Sequence, residues 1–258
     1  MTCTTTSKSK SDVFRFFDLP PELRSAILTQ LLVSNYSTVV LHNATLFSPP
    51  LSDLTGILSV FLVNTQMYQE ASAIFYSENC FLLNAQSHRL PVHLTSQGGF
   101  LSEEGQDARR RVRKLTIHLT RVGGEFERIL GPALTDMVLN GSLRDLRLRL
   151  GPPSWRSRAT RSLDPDMVQR PPFQALLRLL SDPYLEKVEF LAWRVHLEVF
   201  CPFHQKRHPS MKTDTESIDD EGLAILRNGP DWVELDWRAL VEVYGTGQQI
   251  VRIGERSY

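Results

Sequence analysis

The chain has 258 residues, of which 41% are hydrophobic and 22% are charged, and its 29 Lys and Arg residues balance its 29 Asp and Glu residues. This length is sufficient for one large domain or two small ones, each with a hydrophobic core. The zero net charge argues against a protein that binds nucleic acid or an anionic membrane over its whole surface, and no apolar run is long enough for a transmembrane helix.

The first eleven residues are rich in Ser, Thr and Lys, and we expect them to form a disordered tail. They contain no apolar segment of the kind found in secretory signals. The three cysteines, Cys3, Cys80 and Cys201, are odd in number and widely spaced, which does not suggest a disulfide framework. We therefore expect a protein of a reducing compartment, the cytoplasm or the nucleus.

An amphipathic helix is the first predicted element, over residues 19–33. Its apolar residues recur about every four positions and form one wide stripe: Leu19, Leu23, Ile27, Leu28, Leu31 and Leu32. Pro20 and Pro21 have the φ angle that a first helical turn requires, and Glu22 suits the positive end of the helix dipole. A short strand is predicted next, over residues 37–42.

Two further helices are predicted over residues 53–63 and 65–77, followed by a strand over residues 80–83. Asn64 separates the helices and is a natural N-cap for the second one. At 100° per residue, one half of the helical wheel is apolar and predicts a core-facing side: Phe61, Val63, Met67, Tyr68, Ala71, Ile74 and Phe75. Glu70 falls on the opposite, polar half.

Two sequence blocks in this region resemble fungal F-box-like proteins. The first is Leu19-Pro-Pro-Glu-Leu-Arg24, and the second is Leu62-Val-Asn-x-Gln-x-Tyr-x-Glu-Ala71 with Ile74-Phe-Tyr-x-x-Asn-x-Phe81 after it. The resemblance implies an F-box-like helical module over residues 12–84 that docks the Skp-type adaptor of a Skp–cullin–F-box ubiquitin ligase. The residues that match the family's apolar contact surface are Leu19, Pro20, Leu23 and Val63.

From residue 112 onward, three segments share an L-x-x-L-x-L arrangement, which predicts strands over residues 113–119, 144–150 and 185–191. Helices are predicted between them, over residues 125–139 and 172–181, whereas residues 85–111 are predicted to be loop. The fold class is therefore α/β, with α+β as the alternative. Residues 85–258 form an irregular strand-helix repeat domain with a largely parallel sheet, and we expect a further helix over 236–244 and a closing strand over 249–253.

Six arginines form a candidate binding face for an anionic partner. Four of them lie just before or at the start of the first repeat strand, and two lie on the second, where the leucines should point inward and the arginines outward. The six are Arg109, Arg110, Arg111, Arg113, Arg147 and Arg149. The alternative is a solvated sheet face or a set of salt bridges to the covering helices. RNA-binding aromatic motifs do not accompany the arginines, so we do not expect a nucleic-acid partner.

One cluster has metal-ligand spacing, Cys201-x-x-His204-x-x-x-His208. A structural zinc site usually needs four ligands and often paired cysteines, so we expect neither a metal nor another cofactor. The chain contains no Walker A motif, no G-x-S-x-G elbow and no H-E-x-x-H motif. We therefore expect a protein without enzymatic activity.

The preferred interpretation is a non-enzymatic interaction protein that acts as the substrate-recognition subunit of a ubiquitin ligase and holds an unknown target protein with its second domain. Residues 34–52 separate the two F-box-like blocks more widely than a compact F-box does. This spacing leaves a second interpretation open, an F-box-like scaffold or basic-surface binder that does not contact the adaptor. An enzyme without a recognisable motif is the third.

Overall fold

The structure is a computed structural model that describes residues 15–33, 39–40, 59–85, 90–151, 168–193, 225–228 and 232–245. The predicted tail at 1–11 and the predicted strand at 249–253 lie outside these ranges, as do Cys201, His204 and His208. Within these ranges the chain contains helices and one sheet of seven strands.

A 3-10 turn (Phe16–Asp18) leads into helix α1 (Pro21–Leu32), close to the predicted bounds. Pro21 occupies the first helical position, where its missing N–H costs no intrahelical hydrogen bond. Leu28 and Leu32 are buried, and they form one side of a small core cluster with Met67 and Ala71. This cluster lies between α1 and the next helix.

Helix α2 (Thr65–Glu78) begins at Asn64, whose side-chain oxygen accepts a hydrogen bond from the backbone N–H of Met67 at 2.8 Å. The predicted N-cap is therefore confirmed. Residues 59–60 are helical and a turn follows at 61–62, so the preceding helix ends about three residues earlier than predicted.

Seven strands form one sheet in the order β1-β2-β3-β4-β5-β7-β6. Their bounds are β1 (Val39–Val40), β2 (Cys80–Ala85), β3 (Lys114–Leu119), β4 (Asp145–Leu150), β5 (Lys187–Trp193), β6 (Ile225–Asn228) and β7 (Trp232–Leu235). The first five strands pair in parallel, whereas β7 pairs antiparallel with both β5 and β6. The predicted α/β class with a largely parallel sheet is confirmed, and the three L-x-x-L-x-L segments are neighbouring strands.

Helices occupy the connections between the strands. Residues 126–130 (Phe126–Leu130) form a π-helical turn that continues into α5 (Gly131–Leu139), and α6 spans Pro171–Leu180. Helix α7 (Trp237–Tyr244) is capped by Asp236, which accepts from two backbone N–H groups. The prediction of a loop over 85–111 is wrong in part, because two short helices lie there, α3 (Val92–Thr95) and α4 (Gln106–Arg111).

In the part of the chain that the structure describes, the main core lies on one face of the sheet. Strands β1 to β5 follow one another in sequence order, so each crossover advances by one strand in the same direction. Because parallel crossovers share one hand, such an order places the connecting helices on the same face. The buried apolar side chains of the central strands all belong to this face: Phe81, Leu83, Ala85, Leu115, Ile117, Leu119, Leu146, Leu148, Leu150, Phe190 and Ala192.

Phe75 of α2 connects the small cluster to the main core. It packs against both groups of buried residues, and its ring lies 5.5 Å from the ring of Phe61 and 5.5 Å from the ring of Phe81. The helical wheel predicted that Phe75 faces the core, and it does pack against buried residues, although the side chain is only half-buried. In the ranges that the structure describes, no helix has the length and apolar character needed to cross a membrane.

Candidate functional site

The apolar stripe of α1 is only partly covered. Leu28 and Leu32 are buried, but Leu23 remains 52% exposed, Ile27 39% and Leu31 53%. These three residues follow one another at intervals of four, so they form a continuous edge along the helix. The helical wheel predicted an apolar stripe, but it did not indicate which edge of the stripe the rest of the chain would leave open.

The other residues suggested by the F-box resemblance are near the ends of the module's helices. Leu19 is half-buried just before α1, and Pro20 is exposed. Val63 is 60% exposed and the preceding Leu62 is 86% exposed, in the turn that leads into α2. The helical wheel predicted that Val63 faces the core, and this prediction is wrong. Leu62, Ile27 and Leu31 are also apolar and exposed. The F-box resemblance did not point to these three residues.

The orientation of α1 on α2 is set by a bidentate ion pair. The Arg24 Nε and Nη2 groups donate to the two carboxylate oxygens of Glu70, each at 2.9 Å, and Nη1 donates to the carbonyl oxygen of Leu19 at 2.7 Å. The hydrogen bonds from Arg24 and Gln66 lower the pKa of Glu70. The helical wheel placed Glu70 on the polar half of the helix, but it did not indicate that this residue contacts α1.

The four arginines that precede β3 do not form a free basic surface. Arg109 is buried, and its Nη1 donates to the carbonyl oxygens of Phe100 at 2.7 Å and Ser102 at 3.1 Å. Burial lowers the pKa of Arg109. Arg110 makes a bidentate ion pair with Asp136 of α5, with its Nη2 at 2.7 Å from Oδ1.

Arg111 and Arg113 also contact neighbouring elements. The Nη1 group of Arg111 donates to the hydroxyl of Ser72 at 3.1 Å, and its guanidinium lies 5.7 Å from the centre of the Tyr68 ring. Arg113 forms an ion pair with Glu186 at 3.6 Å. Contacts between elements therefore account for four of the six arginines of the candidate anionic-partner face.

Arg147 and Arg149 lie on the sheet face opposite the main core, as their alternation with the buried leucines of β4 predicts. In the strand register, three rows of side chains cross this open face. One of them is Cys80, Lys114, Asp145 and Lys187, and the other two contain the arginines. Of these two, the first row is Leu82, Thr116, Arg147 and Glu189, and the second is Asn84, His118, Arg149 and Leu191. The helices described above contribute to the core on the other face.

Glu189 neutralises most of the charge in the first row. It accepts two hydrogen bonds from Arg147, the second from Nη2 to Oε1 at 3.0 Å, and Lys187 donates to Oε1 at 2.8 Å. The hydrogen bonds from Arg147 lower the pKa of Glu189 to about 2, with a smaller contribution from Lys187. This ionic group is compact and already satisfied.

Arg149 has a different environment. Its Nη1 lies 3.4 Å from Nε2 of His118, and it makes no ion pair with any residue in the described ranges. Burial lowers the pKa of Arg149, and burial together with the nearby Arg149 lowers the pKa of His118. A guanidinium group has only donors, so a neutral His118 accepts this hydrogen bond and leaves the other donors of Arg149 open.

Within the described part of the chain, no three His, Cys, Asp or Glu side chains are close enough together to hold a metal ion. Comparisons of the chain with protein-family models, curated proteins and solved structures gave no match. Two surfaces therefore remain as candidate functional sites, the exposed edge of α1 and the open face of the sheet around Arg149.

Proposed function

We propose that this chain is a non-enzymatic interaction protein that docks a Skp-type adaptor through its N-terminal helical module. The observation that supports this most directly is the row of half-exposed apolar side chains at Leu23, Ile27 and Leu31. The F-box-like sequence blocks supply the identity of the adaptor, and the second part of the chain would hold the target protein.

The exposed edge has the properties of a docking surface. Large apolar side chains that lie side by side on the surface are better placed in a complex, where a partner removes them from water. Leu28 and Leu32 anchor the helix from its buried edge, and the Arg24–Glu70 ion pair orients it. A partner would therefore meet a preformed surface and would not have to order the helix on binding.

The test is a calorimetric titration of the purified chain with a purified Skp-type adaptor. We expect a complex with one adaptor per chain, and we expect the double substitution Leu23→Glu with Leu31→Glu to abolish the heat of binding. Both side chains are about half exposed, so the double variant should remain folded.

Ser25→Glu with Ala26→Glu is the matched control, because it adds the same two charges to exposed positions on the polar side of the same helix. The control should bind the adaptor like the wild type. If the wild type produces no heat with an adaptor that binds a known F-box protein, adaptor docking is wrong. Equal loss of binding in both double variants would exclude the Leu23–Leu31 edge as the contact surface.

A further inference from the structure

We propose that the open face of the sheet binds an extended acidic segment of a partner protein, with one carboxylate of that segment paired with Arg149 beside His118. The proposal takes the chain to be an interaction protein, as the proposed function does, but it does not depend on adaptor docking. It assigns a chemical class to the target that the second part of the chain would hold.

The two neighbouring arginines of β4, Arg147 and Arg149, have different electrostatic environments. Arg147 and Arg149 point to the same side of β4, yet Arg147 forms a bidentate ion pair with Glu189. Arg149 makes no ion pair in the ranges described and interacts with Glu189 only over a longer distance. A partly buried cation without a counter-charge is unfavourable in a folded protein unless another group compensates it. An incoming anion would supply that compensation.

The N–H groups of Arg149 that do not contact His118 have a defined geometry. The contact with His118 uses one terminal nitrogen of Arg149 and restrains the planar guanidinium against the sheet. The remaining N–H groups keep the fork geometry that matches the two oxygens of a carboxylate. Burial and the nearby Arg149 lower the pKa of His118, so its ring is neutral at pH 7 and adds no second positive charge beside the guanidinium.

The charge count favours a carboxylate over a phosphate group. Arg147, Arg149 and Lys187 carry three positive charges on this part of the sheet face, against the two negative charges of Glu189 and Asp145. One positive charge is therefore left over, and Arg149 is the cation of this group that makes no ion pair within the described ranges. One free guanidinium matches a singly charged carboxylate, whereas phosphorylated residues carry nearly two charges and are usually held by several arginines. We therefore infer an Asp or Glu side chain of the partner.

The rest of the row supports an extended segment. Leu191 stands next to Arg149 in the register, so one apolar side chain neighbours the charged position, whereas Leu82 lies in the adjacent row two strands away. Leu82 and Leu191 are partly exposed. A segment that crosses the strands would place its acidic residue on Arg149 and an apolar residue against Leu191.

The experiment is a selection of linear peptides from a display library on the purified full-length chain, in the absence of any adaptor. The tightest acidic peptide is then synthesised in three forms: unchanged, with its acidic residue replaced by the corresponding amide, and with phosphoserine in that position. Affinities are measured by fluorescence polarisation for the wild type, Arg149→Gln and Arg178→Gln. Arg178 is the matched control because it is exposed on α6, in the helix layer on the other side of the sheet.

We expect the selected peptides to share an acidic residue and Arg149→Gln to weaken their binding about tenfold or more, while Arg178→Gln leaves it unchanged. The amide peptide should lose a similar amount on the wild type and nothing further on Arg149→Gln. Should Arg149→Gln fail to fold, Arg149→Lys keeps the charge and loses the fork, and it should weaken binding several-fold.

The proposal is overturned if the selection gives no acidic peptides, or if the Arg149 variants bind them as tightly as the wild type does. Tighter binding of the phosphoserine form through Arg149 would replace the carboxylate by a phosphopeptide as the ligand. Failure here leaves calorimetric adaptor binding unaffected, and the reverse also holds, so the two claims are separable.

Discussion

Glu189 is the residue whose ionisation most clearly links the open face to stability. Its ordinary pKa of 4.5 is lowered to about 2, first by the hydrogen bonds from Arg147. A carboxyl group with a lowered folded-state pKa stabilises the protein above its unfolded-state pKa and loses this contribution as the pH falls toward the folded-state value. The relevant window here is therefore pH 4.5 down to pH 2.

We expect Glu189→Gln to reduce the free energy of unfolding by about 1 kcal/mol at pH 7, since solvent screens part of this surface interaction. The difference from the wild type should shrink as the pH is lowered from 5 to 3, as measured by urea unfolding at each pH. Glu186→Gln is the control, because Glu186 is much more exposed. A difference that stays constant over this range would contradict the assignment.

Single residues also show where sequence reasoning was limited. The alternation of leucine and arginine on β4 predicted correctly which side chains are buried, because a strand places successive residues on opposite faces. Glu70 was assigned to a solvated helix face, but it pairs with Arg24, which is 46 positions earlier in the chain. Neither this partner nor the contact between His118 and Arg149 follows from local periodicity, since each depends on how distant elements pack.

At the scale of elements, α2 connects the α1 cluster with the sheet through Phe75. We expect Phe75→Ala to reduce the free energy of unfolding by about 3 kcal/mol, the lower end of the range for removing an aromatic core side chain, because Phe75 is only half-buried. Phe75→Leu keeps most of the volume and should cost about 1 kcal/mol. Chemical denaturation measures both changes, and a change below about 0.5 kcal/mol for the alanine variant would show that α2 does not make this connection.

The elements that the sequence predicted are those with a strong local signal. Helices α1, α2, α5 and α6 and strands β3, β4 and β5 have regular apolar periodicity, and their bounds agree with the predictions within a few residues. The short helices α3 and α4 and the strands β6 and β7 lack such a signal and were not predicted. The antiparallel addition of β7 to β5 is a long-range pairing, so no local pattern indicates it.

For the whole molecule, the sheet joins the N-terminal module to the rest of the chain. Strand β2 ends the module, yet it pairs with β3 over six residue positions and its Phe81 and Leu83 are part of the main core. We therefore expect the described parts of the chain to unfold as one cooperative unit.

This expectation can be measured with two distant core substitutions. Phe75→Ala near α1 and Phe190→Ala on β5 should shift one common thermal transition, followed both by far-ultraviolet circular dichroism and by tryptophan fluorescence. Three of the four tryptophans are Trp193 on β5, Trp232 on β7 and Trp237 on α7. A large part of the fluorescence signal therefore reports on elements far from Phe75. Two transitions, each sensitive to only one of the substitutions, would contradict a single unit.

The architecture separates the two proposed binding surfaces. The apolar edge is on α1, at the end of the sheet where β1 and β2 lie, whereas Arg149 is on β4 in the middle of the sheet. Among the described residues, the main core lies on one face of the sheet and Arg149 on the other, so the two proposals, adaptor docking and target binding, would use separate surfaces. Docking of the adaptor is proposed for the edge on α1.

Hydrogen–deuterium exchange of the chain with and without the adaptor tests this claim most directly. We expect the adaptor to slow amide exchange in peptides that cover residues 20–33 and 59–68. Exchange in peptides that cover β4 should not change. Unchanged exchange over residues 20–33 in a chain saturated with adaptor, or protection confined to the sheet, would contradict this claim.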